Sequence, residues 1–327
     1  MSRFMKRLTK LIGCGTLLFL ATTVIVVLAF RNLRQAVPPP TSRGLLSPAE
    51  VCAKAEKGTM KPLKDEEFAV TSALVAVICG VSEEAIASRY EARNDALRSI
   101  ARRRDLSADD VAALMEYVAA TDCVMRVERE AALKNDVLNL LRNQKQPPEG
   151  LADLLLDMVA SRQYAPVIID YCIQHLGAMS GSLSDGPTKA RIRETFIAAA
   201  KDTAEAYSGT ALYSLAEMSN KSKSESDELR GLTVAACGEN ANPIARISAI
   251  QLAGERGYRE TLPMLRGILA GTRRDAVLDM TVVGSIGLMG DSKDIQVLES
   301  FRVRAGRRLK PAVDAAVQRI KERASAN

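Results

Sequence analysis

Between residues 243 and 321 the chain repeats itself at an offset of 33 residues. Ile250 matches Val283, Gly254 matches Gly287 and Gly257 matches Gly290. Farther on, Leu262 matches Ile295, Leu265 matches Leu298 and Ile268 matches Phe301. A period of this length marks an array in which each unit buries its core only against its neighbours. Both units read as a broadly apolar helix, a glycine turn and an amphipathic helix. In the first of them Ala245, Ala249 and Ala253 fall four apart and share a face, and Ile247, Ile250 and Leu252 widen the buried arc. Ser248, Gln251 and Glu255 crowd onto a narrow strip, so the helix is packed on most sides. Gly257 and Gly290 are expected in the left-handed conformation just past a helix end. Pro263 suits a first turn, where its missing amide costs nothing. The second helices show a narrower stripe, Leu262, Leu265, Ile268 and Leu269, then Ile295, Leu298 and Phe301. A third copy begins at Leu309 with Ala312, Val313, Ala316, Val317 and Ile320, and stops without a second helix, as a terminal cap would.

The run ARISAIQLAGERGYRETLPMLRGIL, from Ala245 to Leu269, and its partner at 278–301 resemble the HEAT repeat. The resemblance is to the short bacterial variant also found in phycobilisome-lyase-like proteins. Tetratricopeptide repeats, of similar length, carry a tryptophan signature, and this chain has no tryptophan. The resemblance implies an all-α fold, an α-solenoid of stacked helical hairpins whose extended curved surface binds a protein partner. It also implies that the second helices of the hairpins line the concave face, here 108–120, 150–161, 188–201 and 258–270. As an alternative it admits a cofactor- or chromophore-handling, lyase-like enzyme.

Upstream the repeat degrades but its rhythm persists. The pattern predicts helices over 66–79, 83–104, 108–120, 124–143, 150–161, 165–179, 188–201, 203–219 and 226–238. Between them lie polar or proline-rich stretches such as QKQPPEG at 144–150 and GSLSDGPT at 181–188. Ser82 and Ser107 read as N-caps before first-turn carboxylates. Asp65, Glu66 and Glu67, like Asp109 and Asp110, read as first-turn charges favoured by the helix dipole. Aromatic residues are only 4%, which counts against β-sandwiches and against aromatic platforms for single-stranded nucleic acid. The body therefore divides into a helical region with degenerate repeats at 48–242 and the HEAT-like repeats with their cap at 243–327.

The N-terminus has a different character. Leu11 to Phe30 is uncharged for twenty residues, enough at 1.5 Å per residue to cross a hydrocarbon core of about 30 Å. Residues 1–10 then read as a short basic tail, 11–30 as a transmembrane signal anchor and 31–47, with three consecutive prolines, as a stiff linker. Val27-Leu28-Ala29 offers an alternative cleavage site, which would leave a secreted body. Four basic residues precede the span and three follow it before Glu50, so the body is expected outside the cytoplasm, in the periplasm if the chain is bacterial. A cytoplasm-facing adaptor is the other topology. The net charge of +6 comes from this end, since residues 1–44 hold seven basic residues and no acid, leaving 38 basic against 39 acidic residues. That balance argues against a nucleic-acid partner. Two local basic stretches, 89–104 and 302–323, read as solvated helix faces, or alternatively as sites for an anionic partner or lipid head groups.

Reactive constellations are missing from the pattern. No phosphate-cradling glycine loop, H-E-x-x-H or G-x-S-x-G occurs. His175 is the single histidine, which leaves no imidazole set for a metal. With Cys172 three residues before it and Gly177 just after, His175 reads as an exposed or capping residue near a helix end. Cys52, Cys79, Cys123, Cys172 and Cys237 are widely and irregularly spaced and read as small buried hydrophobes. The expectation is a membrane-anchored, non-catalytic scaffold or adaptor, with membrane contact through residues 11–30. No catalytic, cofactor-binding or metal residue and no cofactor is assigned.

Overall fold

The computed structural model describes residues 64–80, 90–121, 127–218 and 223–326, all within a unit spanning 60–327. The expected basic tail, anchor and linker, with Cys52, Ser82 and Cys123, lie outside the described residues. Among the described residues no helix is long and apolar enough to cross a membrane. The expected membrane localisation is corrected on that finding and is not carried further.

Fourteen α-helices and no strand are found among the described residues. They are α1 (Lys64–Cys79), α2 (Tyr90–Ile100), α3 (Ala108–Ala119), α4 (Val127–Arg142), α5 (Leu151–Ser161), α6 (Pro166–Ser180) and α7 (Pro187–Lys201). The chain continues through α8 (Tyr207–Met218), α9 (Lys223–Ala236), α10 (Pro243–Arg256), α11 (Leu262–Ala270), α12 (Ala276–Met289), α13 (Ser292–Arg304) and α14 (Lys310–Ser325). A single 3₁₀ turn, Arg259–Thr261, leads into α11. The expected helix over 83–104 is described only as α2, ending at Ile100.

The helices stack in two layers, as expected of helical repeats. Even-numbered helices pack on even-numbered neighbours without interruption from α2 to α14, and odd-numbered helices lie beside odd ones. Each odd helix also packs on the even helix that follows it. The packed hairpin is therefore α9/α10, α11/α12 or α13/α14, shifted by one helix from the unit that the glycine turns suggest. Gly257 and the 3₁₀ turn carry the chain from one hairpin to the next.

The even layer is close because its helices meet at glycines. A Cβ built on Gly254 of α10 would lie 2.8 Å from Ser285 Cα of α12, and one on Gly287 of α12 would lie 2.8 Å from Ala316 Cβ of α14. Ser285 Oγ donates to Ile250 O of α10 at 2.9 Å, so the notch also satisfies the hydroxyl it receives. Ile250, Val282, Val283, Ile286, Leu298, Phe301 and Val313 are fully buried around these crossings.

Helix ends follow local chemistry. Ser107 Oγ accepts from Asp110 N at 3.1 Å, as a capping serine should. Asp291 and Asp294 form a reciprocal capping box on α13. Gly257 is left-handed at φ 71°, whereas Gly290 is extended, contrary to expectation. Gly290 is needed for space, because its Cβ would lie 2.6 Å from Ile286 O and 2.8 Å from Asp294 Oδ2.

Candidate functional site

The two layers differ in emphasis: ion pairs between helices concentrate on the odd layer, although Arg93 on α2 and Glu130 on α4 also pair at 3.1 Å, and exposed apolar side chains concentrate on α10 and α12, although Val303 on α13 is 84% exposed. On the odd layer, charged side chains pair with one another from helix to helix. Arg191 on α7 reaches back to Asp153 on α5 at 2.5 Å, and Arg193 reaches forward to Glu228 on α9 at 2.5 Å. Arg230 on α9 holds Glu260 before α11. Arg266 on α11 grips Asp294 on α13 with two bonds of 2.6 and 3.1 Å, and Arg302 on α13 pairs with Asp314 on α14 at 2.5 Å. Exposed pairs of this kind contribute at most about 1 kcal/mol each. Asp294 is different, being fully buried. Burial alone would raise its pKa, but the Arg266 fork and the Asp291 amide hold it below the usual carboxylate range.

Other basic residues close the C-terminal ends of neighbouring helices, whose last carbonyls lack partners within their own helix. Arg93 donates to Ile78 O at 2.8 Å, Arg256 to Ala216 O at 2.7 Å and Arg304 to Leu269 O at 2.9 Å. The buried Lys134 donates to Val118 O at 3.0 Å and to Ala120 O. Arg323 binds Leu288 O at 2.8 Å and Gly290 O at 2.6 Å, so it is not the water-facing residue its position suggests. The basic stretch at 302–323 thus includes residues committed to the fold's own interior joints. The four helices expected to form a binding wall, α3, α5, α7 and α11, do share one layer, the one carrying this ladder.

On the even layer, large apolar residues reach solvent. Ile244 on α10 is 64% exposed, and Val277, Met280 and Leu288 on α12 are 60, 42 and 44% exposed. Residues 277, 280, 284 and 288 follow the spacing of one helix face. Val167, at the second position of α6, repeats the placement of Ile244 and Val277 in their own first turns.

His175 lies inside this layer and is neither exposed nor capping. It is 4% exposed, and its Nε2 shares a 3.0 Å hydrogen bond with Asn135 on α4. Gly177 does not end the helix. Its missing Cβ makes room for Ser214 of α8, whose Oγ would lie 2.8 Å away. Burial, reinforced by the nearby Arg142 charge, pulls the imidazole pKa down to about 4. Cys172 and Cys237 are buried free thiols, and burial pushes both up to about 12. Neither is poised as a nucleophile, since the thiolate is the reactive form.

The neutral histidine has a measurable consequence. Its folded pKa lies below the unfolded value of 6.5, so between pH 6.5 and about 4 the unfolded chain binds the extra proton. Stability then falls as pH drops, by about 1.4 kcal/mol per unit. His175→Gln should remove about 2 kcal/mol of the stability difference between pH 7 and pH 5, read from urea midpoints. Equal pH slopes for the two proteins would show that the imidazole is not held neutral.

The fold and these two faces define a class: an all-helical array of paired helices, consistent with a HEAT-like repeat fold. No protein-family model matches the chain, and no curated protein matches it. Among solved structures it is similar to human deoxyhypusine hydroxylase in complex with glycerol, at 12% identity and a TM-score of 0.32, over 79% of this chain and 99% of that one. A likeness at that TM-score transfers no activity or ligand. It does correct one expectation. The chain was expected to catalyse nothing, yet the helical protein it is similar to is named as a hydroxylase. The absence of catalysis is therefore withdrawn as a conclusion.

Proposed function

We propose that this chain is a helical-repeat scaffold that holds a protein partner on the outward face of its even-numbered helices. One observation carries the reading: α10 and α12 leave Ile244, Val277, Met280 and Leu288 in solvent, although the same helices bury most of their other apolar side chains. Large apolar side chains left exposed on two helices that pack together point to an interaction surface. The resemblance pointed to the odd-numbered helices. Their arginines and carboxylates are already bound to one another, which argues for the opposite layer.

A photo-crosslinking residue placed at Ile244 tests this in cells of the native source. We expect a discrete protein adduct that disappears when Val277 and Met280 are both changed to Asp. Because both side chains are already exposed, that double variant should unfold within about 0.5 kcal/mol per site of the parent. A crosslinker at Asp157, 78% exposed on α5, should give no such adduct. An adduct from Asp157 and none from Ile244 would overturn the assignment of the face.

A further inference from the structure

Most arginines from α10 onward are committed within the fold. Arg256, Arg304 and Arg323 bind backbone carbonyls, and Arg266, Arg274 and Arg302 face carboxylates. Four have no such partner among the described residues: Arg319, midway along α14, and three that sit exposed in loops, Arg273, Arg307 and Arg308.

The three loop arginines share one edge. Residues 271–275 join α11 to α12, and residues 305–309 join α13 to α14. Arg304, at the end of α13, donates to Leu269 O at 2.9 Å and to Ala270 O at 3.2 Å, at the end of α11, so the two loops start side by side. Arg274 lies over the Phe301 ring, 5.2 Å from its centroid, and ties the first loop to α13. Together the two loops hold four arginines and one acid, Asp275.

The carboxylates around this edge do not answer its charge. Asp275 accepts from Val277 N and Leu278 N as the cap of α12. Asp279 faces Arg274 at 3.9 Å, and Asp314 is taken by Arg302 at 2.5 Å, with Lys310 acting on it as well. With Asp279 counted against Arg274 and Asp275 against one more arginine, two of the four loop arginines remain uncompensated.

Position and spacing choose the occupant. The first loop runs straight into Val277, so the edge borders the exposed apolar residues of α10 and α12. Packed helices lie about 8–10 Å apart, wider than one phosphate group and about three residues of extended chain. A polypeptide with successive carboxylates therefore meets both loops at once. The balance of 38 basic against 39 acidic residues beyond residue 44 argues against nucleic acid. We infer that the protein partner seated on the even-layer face carries a run of aspartates or glutamates beside its apolar contact, received by Arg273, Arg307 and Arg308. The inference rests on the scaffold reading and states the chemistry of its partner.

A fluorescent peptide with six leucine and alanine residues followed by six glutamates probes the full-length chain by anisotropy. Its controls carry serines or lysines in place of the glutamates, and a thymidine oligonucleotide of matched charge is the nucleic-acid control. The glutamate peptide should bind about tenfold tighter than the serine peptide, the worth of a few exposed ion pairs, and high salt should erase the difference. Arg273→Ser, Arg307→Ser and Arg308→Ser together should remove that preference without moving the urea midpoint, because none of the three is bound within the fold. The corresponding triple change to Glu should transfer the preference to the lysine peptide. Equal binding of the glutamate and serine peptides would overturn the inference, as would a preference that survives the triple Ser variant or no binding at all. Tighter binding of the oligonucleotide than of the glutamate peptide, lost in the same variant, would overturn it in favour of nucleic acid. Such a failure with the Ile244 adduct intact removes the acidic run and leaves the scaffold, whereas loss of the adduct with the glutamate preference intact removes the α10/α12 face and leaves the basic edge.

Discussion

Removing residues 306–327 should cost the array several kcal/mol and leave its last described hairpin fraying. These residues form α14, whose Val313, Ala316, Val317 and Ile320 are 0, 2, 9 and 1% exposed. Burial of a medium apolar side chain is worth about 1.5–3 kcal/mol, so four such contacts, one of them only an alanine, give about 4–8 kcal/mol. The deletion also uncovers the partners. Val283, Ile286, Leu298 and Phe301 are fully buried in the intact chain. It removes Arg323, which closes the carbonyl end of α12, and Asp314, which pairs with Arg302. A repeat array needs a polar-backed terminal helix to stay soluble, and α14 supplies one with Arg319 and Lys321 facing water. Hydrogen exchange should show lost protection across 276–304, while α5 and α6, four hairpins away, change little. Unchanged protection across 276–304 in a monomeric truncated chain would mean that α14 is not a packed cap.

Much of this architecture is legible in the sequence because helical repeats are built from local patterns. The helices over 108–119, 151–161, 166–180 and 187–201 follow directly from 3.6-residue periodicity, and the last two also from the proline at their starts. The cap was legible too, since Val313, Ala316, Val317 and Ile320 fall on a single stripe. What was hidden depends on partners 28–40 residues away. Nothing beside Arg266 marks Asp294 as its partner, and nothing beside Arg256 marks Ala216 O. The wider spacing held a signal nonetheless: Arg230, Arg266 and Arg302 recur every 36 residues, each on an odd helix. Gly177 misled because a glycine after a histidine looks like a helix end, when its purpose is the approach of Ser214. The exposed face of α12 was illegible for another reason. AVLDMTVVGSIGLM is apolar on nearly every side and its few polar residues are buried, so no polar strip distinguishes exposed Val277 from buried Val283.

Two glycines on one helix should respond to the same substitution with opposite sign. Gly284 and Gly287 both lie in α12, yet a Cβ on Gly284 meets nothing within 4 Å, whereas one on Gly287 meets Ala316 Cβ at 2.8 Å and Cα at 2.9 Å. Glycine within a helix costs roughly 0.5–1 kcal/mol relative to alanine, so Gly284→Ala should stabilise by about that amount. At Gly287 the same gain is opposed by contact with backbone, which no rotamer change relieves. Overpacking of this kind costs typically about 1–3 kcal/mol, and Gly287→Val, larger and β-branched, should exceed the alanine variant. Gly254→Val forces α10 from α12 in the same way, because its Cβ meets Ser285 Cα at 2.8 Å, and it should also break the Ser285 bond to Ile250 O. The two notches lie on opposite faces of α12, so the double valine variant should separate that helix from both even neighbours and lose cooperative unfolding of the region after residue 243. Urea unfolding of the five variants decides it. A Gly287→Val protein as stable as the Gly284→Ala protein would mean that the even layer is not held at glycine contact distance, and the stacking of α10, α12 and α14 would have to be redrawn.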